Sequence, residues 1–373
     1  MKLQCNRKQL DDALGVVAQA AASRSTLPIL SHLYLEALDD SLRLIGSDME
    51  QWVECRIPAI VGETGATTVS AKLLSDLVGS LRTEEVNLET GERHQLILQA
   101  GESRYQLVGL PADQYPPIPE LESNTQLSVP ASLLREMVES VEFAVAREEV
   151  RPTLTGIRME YDGTNLRLVS TDTHRLAVRD AAIGGGGEPA SAIVPLKAIH
   201  LLQKLPASEN FTLQLGAHRA AFLGENASLV TQLIEGQYPN YQRVIPQEYT
   251  RRWVLMVEEF RDALRRVHLI AKNNSTDGRK TYTSKVYLRT DGEKLVITAQ
   301  GYAGEAEETV KLAREGDDIE IAFNAKHLLD VLDVLDVLES EEVAVELTES
   351  LRPAVFRPAD RTDYLYVVMP MSK

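Results

Sequence analysis

The stretch Leu166–Asp172 (LRLVSTD) repeats the earlier stretch Leu42–Asp48 (LRLIGSD), and Leu295–Ile297 (LVI) is a weaker third copy. Two further sets of matches keep a spacing of about 125 residues, which is too long for a solenoid repeat and typical of a whole domain. They are Val69–Lys72, Val194–Lys197 and Phe323–Lys326, and then Gln114–Pro116 and Gln237–Pro239. The sequence therefore predicts three similar domains at 1–124, 125–249 and 250–373.

Each predicted domain contains two similar halves, in which a short strand leads into an amphipathic helix and then into alternating strands. Apolar residues spaced i, i+3 and i+4 mark the helices, as at Leu134, Met137, Val138 and Val141. Asp-Gly pairs at 162–163 and 291–292 are strong hairpin signals. The pattern predicts an α+β fold in which each domain packs two helices on antiparallel sheets. The six helices are predicted at 6–21, 71–82, 130–147, 195–204, 257–272 and 324–336.

Composition indicates a soluble protein without a disulfide framework. The two cysteines, Cys5 and Cys55, have neither disulfide-framework nor metal-ligand spacing, which fits a reducing compartment. The N-terminus has no apolar signal segment, and no stretch approaches the 18 apolar residues of a membrane span. We therefore expect a cytoplasmic protein.

The formal net charge of −16 argues against nucleic-acid binding if the charge is spread evenly. It is not spread evenly, because the predicted helices hold nearly equal numbers of basic and acidic residues. Almost all of the excess acid therefore falls in strands and loops. A surface formed by the helices would tolerate phosphates, whereas the rest of the molecule would repel them.

Four segments together resemble the bacterial sliding clamp family, and the similarity runs along the whole chain in the same order. They are Arg24–Leu30 (RSTLPIL), Thr171–Ala177 (TDTHRLA), Tyr238–Val244 (YPNYQRV) and Tyr366–Met371 (YVVMPM). The resemblance implies a head-to-tail homodimer that forms a ring of six domains, with helices inside and sheets outside. Twelve helices about 9–10 Å apart would leave a hole roughly 27 Å wide, enough for a duplex of about 20 Å.

The implied function is that of a DNA polymerase processivity factor without catalytic residues, cofactor or metal. The implied partners are double-stranded DNA bound without sequence preference, the DNA polymerase III catalytic subunit, other polymerases, the clamp loader and repair proteins with a clamp-binding motif. The DNA candidates are basic residues at the starts of helices or in the loops beside them. They are Arg24, Lys72, Arg147, Arg151, Lys197, Lys272, Arg279, Lys280 and Lys326.

The resemblance also implies a pocket for a short partner peptide that carries a Gln and hydrophobic anchors. Its lining would be Leu154, Thr171, His174, Arg175, Leu176, Pro239, Arg243, Val244, Leu351, Pro353, Val367, Met369, Pro370 and Met371. From the residues alone, Val367, Met369 and Met371 are better explained as core residues of a final strand. The implied dimer interface joins Tyr105 and Leu107 to Leu269 and Ile270, although the latter two could equally be helix core.

Two other functions remain as alternatives. A scaffold that binds several proteins without encircling DNA would also suit an acidic surface and a peptide pocket. An enzyme could use Ser170, Asp172 and His174, but residues at i, i+2 and i+4 of a strand do not form a nucleophile, base and acid in the required geometry. A set of turn hydrogen bonds explains these three residues better. The seven histidines lack metal-ligand spacing, and no nucleotide-binding motif is present.

Overall fold

A computed structural model describes residues 1–148, 150–185, 187–271, 284–301 and 304–372. Six α-helices occur in these residues, and each lies where the apolar periodicity predicts one. They are α1 (Arg7–Ala20), α2 (Ala71–Ser80), α3 (Ala131–Glu142), α4 (Leu196–Lys204), α5 (Val257–Ala271) and α6 (Ala325–Val337). Polar side chains cap three of them, since Asn6, Ser70 and Asn324 accept hydrogen bonds from main-chain N–H groups of the first turn.

The described strands alternate with the helices as two similar halves per domain predict. In chain order they are β1 (Lys2–Asn6), β2 (His32–Leu38), β3 (Ser41–Ser47), β4 (Gln51–Glu63), β5 (Gly65–Ser70), β6 (Glu85–Thr90), β7 (Leu96–Ala100), β8 (Ser103–Leu107), β9 (Thr125–Pro130), β10 (Gly156–Tyr161), β11 (Asn165–Thr171), β12 (Arg175–Ala182), β13 (Ala190–Pro195), β14 (Asn210–Leu215), β15 (Arg219–Leu223), β16 (Ala227–Gln232), β17 (Arg251–Met256), β18 (Lys285–Asp291), β19 (Lys294–Gly301), β20 (Gly304–Lys311), β21 (Ala313–Glu315), β22 (Glu320–Asn324), β23 (Glu342–Leu347), β24 (Ala354–Pro358) and β25 (Tyr364–Val368). Asp-Gly turns separate β10 from β11 and β18 from β19, as predicted.

The chain divides into two compact units. The first contains residues 1–133, 162–164 and 183–235, and the second contains 134–161, 165–182 and 236–373. The division cuts through the second predicted domain, because its strands extend the sheets of both neighbouring domains. Strand β16 pairs with β4 in the first unit, and β12 pairs with β25 in the second.

In the first unit, one sheet runs in the order β8-β7-β6-β1-β4-β16-β15-β14-β9, with β2, β3 and β5 attached beside β4. Helix α1 packs on β3 and β4 and buries Leu10, Leu14 and Val17. In the second unit, one sheet runs β10-β11-β12-β25-β24-β23-β17-β21 and another runs β20-β19-β18-β22. Helix α5 packs on β19 and β20 and buries Phe260, Leu264 and Val267. Each helix thus stabilises its sheet by burying an apolar stripe.

Both cysteines are free and buried, in agreement with the absence of a disulfide framework. Burial raises the pKa of the Cys5 and Cys55 thiols to about 12, so both stay protonated at neutral pH. Within the described part of the chain, no helix has both the length and the apolar character needed to cross a membrane.

Candidate functional site

The end of β11 and the turn that follows it contain Ser170, Asp172 and His174, the three residues that could suggest an enzyme. Ser170 is fully buried and its hydroxyl donates to the carbonyl of Val141. One Asp172 oxygen accepts the N–H groups of His174 at 2.9 Å and Arg175 at 3.1 Å. Ser170 therefore joins the strand end to α3 and Asp172 holds the turn, which confirms the prediction of a turn and strand-end hydrogen-bond set.

The first domain contains the same turn between β3 and β4. Asp48 accepts the N–H groups of Glu50 at 3.0 Å and Gln51 at 2.9 Å. Its other oxygen pairs with the ammonium of Lys197, one of the DNA candidates. A phosphate at Lys197 would have to compete with this carboxylate.

The floor of the predicted peptide pocket is formed by neighbouring strands of one sheet. Leu176 of β12 lies opposite Val367 of β25, and Val367 lies opposite Val355 of β24. Leu154 is the last residue of a one-turn helix before β10 and is also buried. Val367 is only 2% exposed, so the interpretation of this residue as strand core holds.

The chain after β25 behaves differently from a core strand. The N–H of Met369 donates to the carbonyl of His174 at 2.9 Å, and the N–H of Met371 donates to that of Ala322 at 2.8 Å. Main-chain hydrogen bonds therefore hold the tail, while the Met369 side chain remains 41% exposed. Pro370 and Met371 are half-buried. The interpretation of Met369 as a core residue is wrong, because the strand has ended at Val368.

The segment Pro239–Val244 supplies exposed apolar and basic side chains. Its one-turn helix is anchored by the Tyr241 hydroxyl, which donates to Glu160 at 2.6 Å. Pro239, Arg243 and Val244 are exposed. Leu351 is exposed as well, and Pro353 lines a cavity of about 130 Å³ together with Pro246, Tyr249 and Val355.

A larger cavity of about 410 Å³ lies among the turn at Thr173, the end of α3 and the start of α6. It brings together two DNA candidates, Arg147 and Lys326, with His174 and Arg175, which the resemblance assigned to the peptide pocket. Arg147 and Lys326 are both exposed. Residues from both predicted sets therefore line one cavity.

Sequence reasoning missed His327 and Asp330, which also line this cavity. Their spacing of three residues on α6 indicates a shared face. Nothing in the sequence, however, indicates Arg175 as the partner of Asp330, because the two are 155 residues apart.

The remaining DNA candidates that the structure describes are at the surface. Arg24 and Arg151 are exposed in loops, and Lys72 is exposed at the start of α2, 3.5 Å from Asp76. Lys272, Arg279 and Lys280 lie outside the described residues.

Of the residues predicted for the dimer interface, Leu269 is exposed, Tyr105 and Ile270 are half-buried, and Leu107 is buried. Tyr105 and Leu107 belong to β8, the outermost strand of its sheet. Leu269 on α5 is 67% exposed and Ile270 is half-buried. The alternative interpretation of Leu269 as helix core is therefore wrong.

Three like domains built from strand–helix halves and joined through continuous sheets define a DNA clamp. Family descriptions match in order: "DNA polymerase III beta subunit, N-terminal domain" over residues 1–119, "central domain" over 128–240 and "C-terminal domain" over 242–372. The beta sliding clamp of Staphylococcus epidermidis is 29% identical over 97% of this chain and 96% of its own length.

Solved structures give the same result. A Pseudomonas aeruginosa sliding clamp bound to griselimycin is 31% identical, covers 100% of both chains and has a TM-score of 0.93. A Bacillus subtilis sliding clamp is 27% identical, covers 100% of this chain and 99% of its own, and has a TM-score of 0.92. The chain belongs to the DNA polymerase III beta subunit family, the bacterial sliding clamps. It is a processivity factor of DNA replication and not an enzyme, and its family binds DNA and polymerases.

The half-buried His327 makes the protein sensitive to acid. Burial lowers the pKa of His327 from its ordinary value of 6.5 to about 4, and the nearby Arg175 cation adds to this effect. The stability that the neutral imidazole contributes is present above pH 6.5 and is lost as the pH falls towards 4. We expect the thermal unfolding temperature, followed by circular dichroism, to fall more steeply across this window in the native protein than in His327→Gln.

The exposed His218 provides the control for this comparison. His218→Gln should follow the native profile. Parallel profiles for the native protein and His327→Gln would contradict the assignment.

Proposed function

We propose that two copies of this chain close head to tail into a ring around duplex DNA, with domains at 1–124, 125–249 and 250–373. The observation that supports it is that two junctions between consecutive domains use equivalent strands. The last strand of the second domain, β16, pairs with the middle strand of the first, β4. The last strand of the third domain, β25, pairs with the middle strand of the second, β12.

Two equivalent strands are left at sheet edges in the described chain: the last strand of the first domain, β8, and the middle strand of the third, β20. Unpaired edges expose main-chain N–H and C=O groups and favour pairing with another chain. Pairing β8 of one copy with β20 of another repeats the existing junctions. Applied twice, it closes a dimer.

The register of this third junction follows from equivalent positions. In the last strands of the first, second and third domains, Tyr105 lies opposite Leu98, Leu229 lies opposite Phe222, and Tyr366 lies opposite Phe356, so these three are equivalent. In the middle strands, Val53 lies opposite Gly46, Ala177 lies opposite Ser170, and Ala306 lies opposite Ala299, so these three are equivalent as well. Leu229 pairs with Val53 and Tyr366 pairs with Ala177, so we expect Tyr105 opposite Ala306. Antiparallel pairing then sets Arg104 opposite Glu307.

The side chains of the two edges are complementary in this register. Glu308 neighbours Ala306 on the face towards α5, where Arg266 pairs with it. Tyr105 would join that face, on the side of the exposed Leu269 and half-buried Ile270. On the opposite face, Arg104 would meet the exposed Glu307.

Charge reversal at this pair tests the ring. Opposite cross-strand charges contribute roughly 0.2–1 kcal/mol, like charges destabilise, and a ring has two such junctions, so Arg104→Glu should weaken the dimer roughly tenfold. Adding Glu307→Arg should restore it. Sedimentation velocity over a dilution series measures both effects.

A matched control makes the same change in net charge at a position outside the edge strands β8 and β20. Lys2→Glu breaks a solvent-exposed pair with Glu89 and should leave the dimer unchanged. Dimerisation that is insensitive to Arg104→Glu, or a double variant as weak as the single one, would refute the proposed register.

We propose that the DNA contacts are the basic residues predicted from the sequence. Arg24, Arg147, Arg151 and Lys326 are exposed, which suits weak phosphate contacts without sequence preference. Lys72 and Lys197 would exchange a carboxylate for a phosphate. The contacts of Lys272, Arg279 and Lys280 remain predictions from the sequence.

We also propose that partner peptides bind on the floor of Leu176 and Val367, between Pro239–Val244 and the tail at Met369–Met371. The buried floor and the exposed apolar rim support this, since methionine adapts to different partners. Arg243, Leu154, Thr171, Leu351 and Pro353 complete the proposed surroundings. The partners would be the DNA polymerase III catalytic subunit, other polymerases, the clamp loader and repair proteins with the same motif. The protein would act in the cytoplasm.

Truncation tests the peptide pocket. Removing residues 369–373 deletes the exposed Met369 and the hydrogen bonds that the Met369 and Met371 N–H groups donate, but no residue of β8 or β20. We expect the affinity for a fluorescent peptide with a Gln and two hydrophobic anchors to fall at least about 30-fold, while the dimer survives.

Removing only residues 372–373 is the control, because it retains Met369–Met371. It should leave peptide affinity nearly unchanged in the same anisotropy titration. Full peptide binding by the longer truncation would rule out the pocket.

A further inference from the structure

The guanidinium of Arg175 is fully engaged by partners within the protein, which is unexpected for a residue that binds a peptide. Its Nε donates to Asp172 at 3.0 Å, its Nη2 donates to the carbonyl of Phe143 at 2.6 Å, and its Nη1 pairs with Asp330. The guanidinium also lies 5.2 Å from the centre of the Phe143 ring. Only 10% of the side chain is exposed, and the fork already joins the end of α3, the turn and α6.

The side chain of Arg175 lies on the opposite face of the sheet from the proposed peptide. Successive residues of a strand point to opposite faces. Arg175 and Arg179 of β12 both reach towards the helices, where Arg179 pairs with Glu136 of α3. Leu176 therefore points to the other face, where it meets Val367. A peptide resting on Leu176 and Val367 would have no direct access to the guanidinium.

Arg175 is nevertheless connected to the pocket through the main chain. Asp172 accepts hydrogen bonds from the Arg175 side chain and from the N–H of His174. The carbonyl of His174 in turn accepts the N–H of Met369. A series of hydrogen bonds therefore connects Asp330 of α6, through the Arg175 guanidinium and the turn, to Met369, the first residue of the tail.

The first domain provides an internal comparison. Its Asp48 forms the same turn, but Gln51 stands where the second domain has Arg175. The turn therefore forms without an arginine. The Glu50 carbonyl of that turn accepts the N–H of Gln232 at 2.8 Å, as the His174 carbonyl accepts that of Met369. What Arg175 adds in the second domain is the connection of the turn to α6 through Asp330.

We propose that Arg175 is a positioning residue for partner peptides: it fixes the His174 carbonyl, and so the tail at Met369, without touching the peptide. This rests on the peptide pocket proposed above. Arginine suits this role because Asp172, Asp330 and the Phe143 carbonyl each bond a different guanidinium nitrogen, whereas lysine has all its donors on one nitrogen and cannot reproduce that spread.

The test measures peptide affinity for the full-length protein by fluorescence anisotropy. Arg175→Lys should weaken a peptide with a Gln and two hydrophobic anchors about tenfold. Arg175→Lys should weaken binding of the same peptide with its Gln changed to Ala by the same factor, because the guanidinium acts through the tail and does not contact the Gln. A loss that disappears with the Ala peptide would show direct contact and overturn the proposal.

Two further variants separate positioning from general destabilisation. Arg361→Lys is the matched control, since Arg361 also joins a carboxylate, Asp363, to a helix-end carbonyl, Leu338. It should lower the unfolding temperature similarly and leave peptide affinity unchanged; equal losses in both variants would contradict a positioning role.

Asp330→Asn keeps the arginine and removes one of its partners. It should weaken the peptide in the same direction, and Arg175→Lys with Asp330→Asn should bind no worse than Arg175→Lys alone. Additive losses would overturn the proposal. If the native protein does not bind the peptide, the proposed pocket is wrong. If the native protein, Arg175→Lys and Asp330→Asn all bind the peptide equally well, the pocket is supported and the positioning role is wrong.

Discussion

Main-chain hydrogen bonding between strands of consecutive domains is the constraint on which the rest of this molecule depends. An edge strand that ends a domain leaves polar groups unpaired, and this chain satisfies them with the middle strand of the preceding domain, at β4–β16 and β12–β25. The second domain cannot be separated from its neighbours for this reason, and its two halves fall into different compact units. The same constraint leaves β8 and β20 as complementary ends, so ring closure is a repetition of what the chain already does twice.

Charge placement follows the division between helices and sheets. With their ends as observed, the six helices remain nearly balanced in charge, although the chain has a net charge of −16. The excess acid therefore belongs to strands and loops, including Glu305 and Glu307 on the free edge of β20. A protein held on DNA by topology needs only weak phosphate contacts, and an acidic remainder discourages DNA from binding elsewhere.

The fold could be predicted largely from the sequence, because apolar spacing and internal repetition are local signals. Five helices begin and end within two residues of their predicted bounds. The exception is α3, which ends at Glu142 although Ala144 and Val145 are still buried. There the Phe143 carbonyl accepts a hydrogen bond from Arg175, a partner that no local pattern indicates. Long-range contacts also explain what was missed in the site: the Lys197–Asp48 pair, and the turning of Arg175 away from the face of Leu176.

Retention on DNA of different topology tests the central claim most directly. The protein is loaded by a clamp loader onto a nicked circular plasmid, separated from free protein by gel filtration, and followed before and after the plasmid is cut once. A ring predicts stable association with the circle and rapid loss from the linear product at the same salt concentration. Equal rates of dissociation from circular and linear DNA would contradict it.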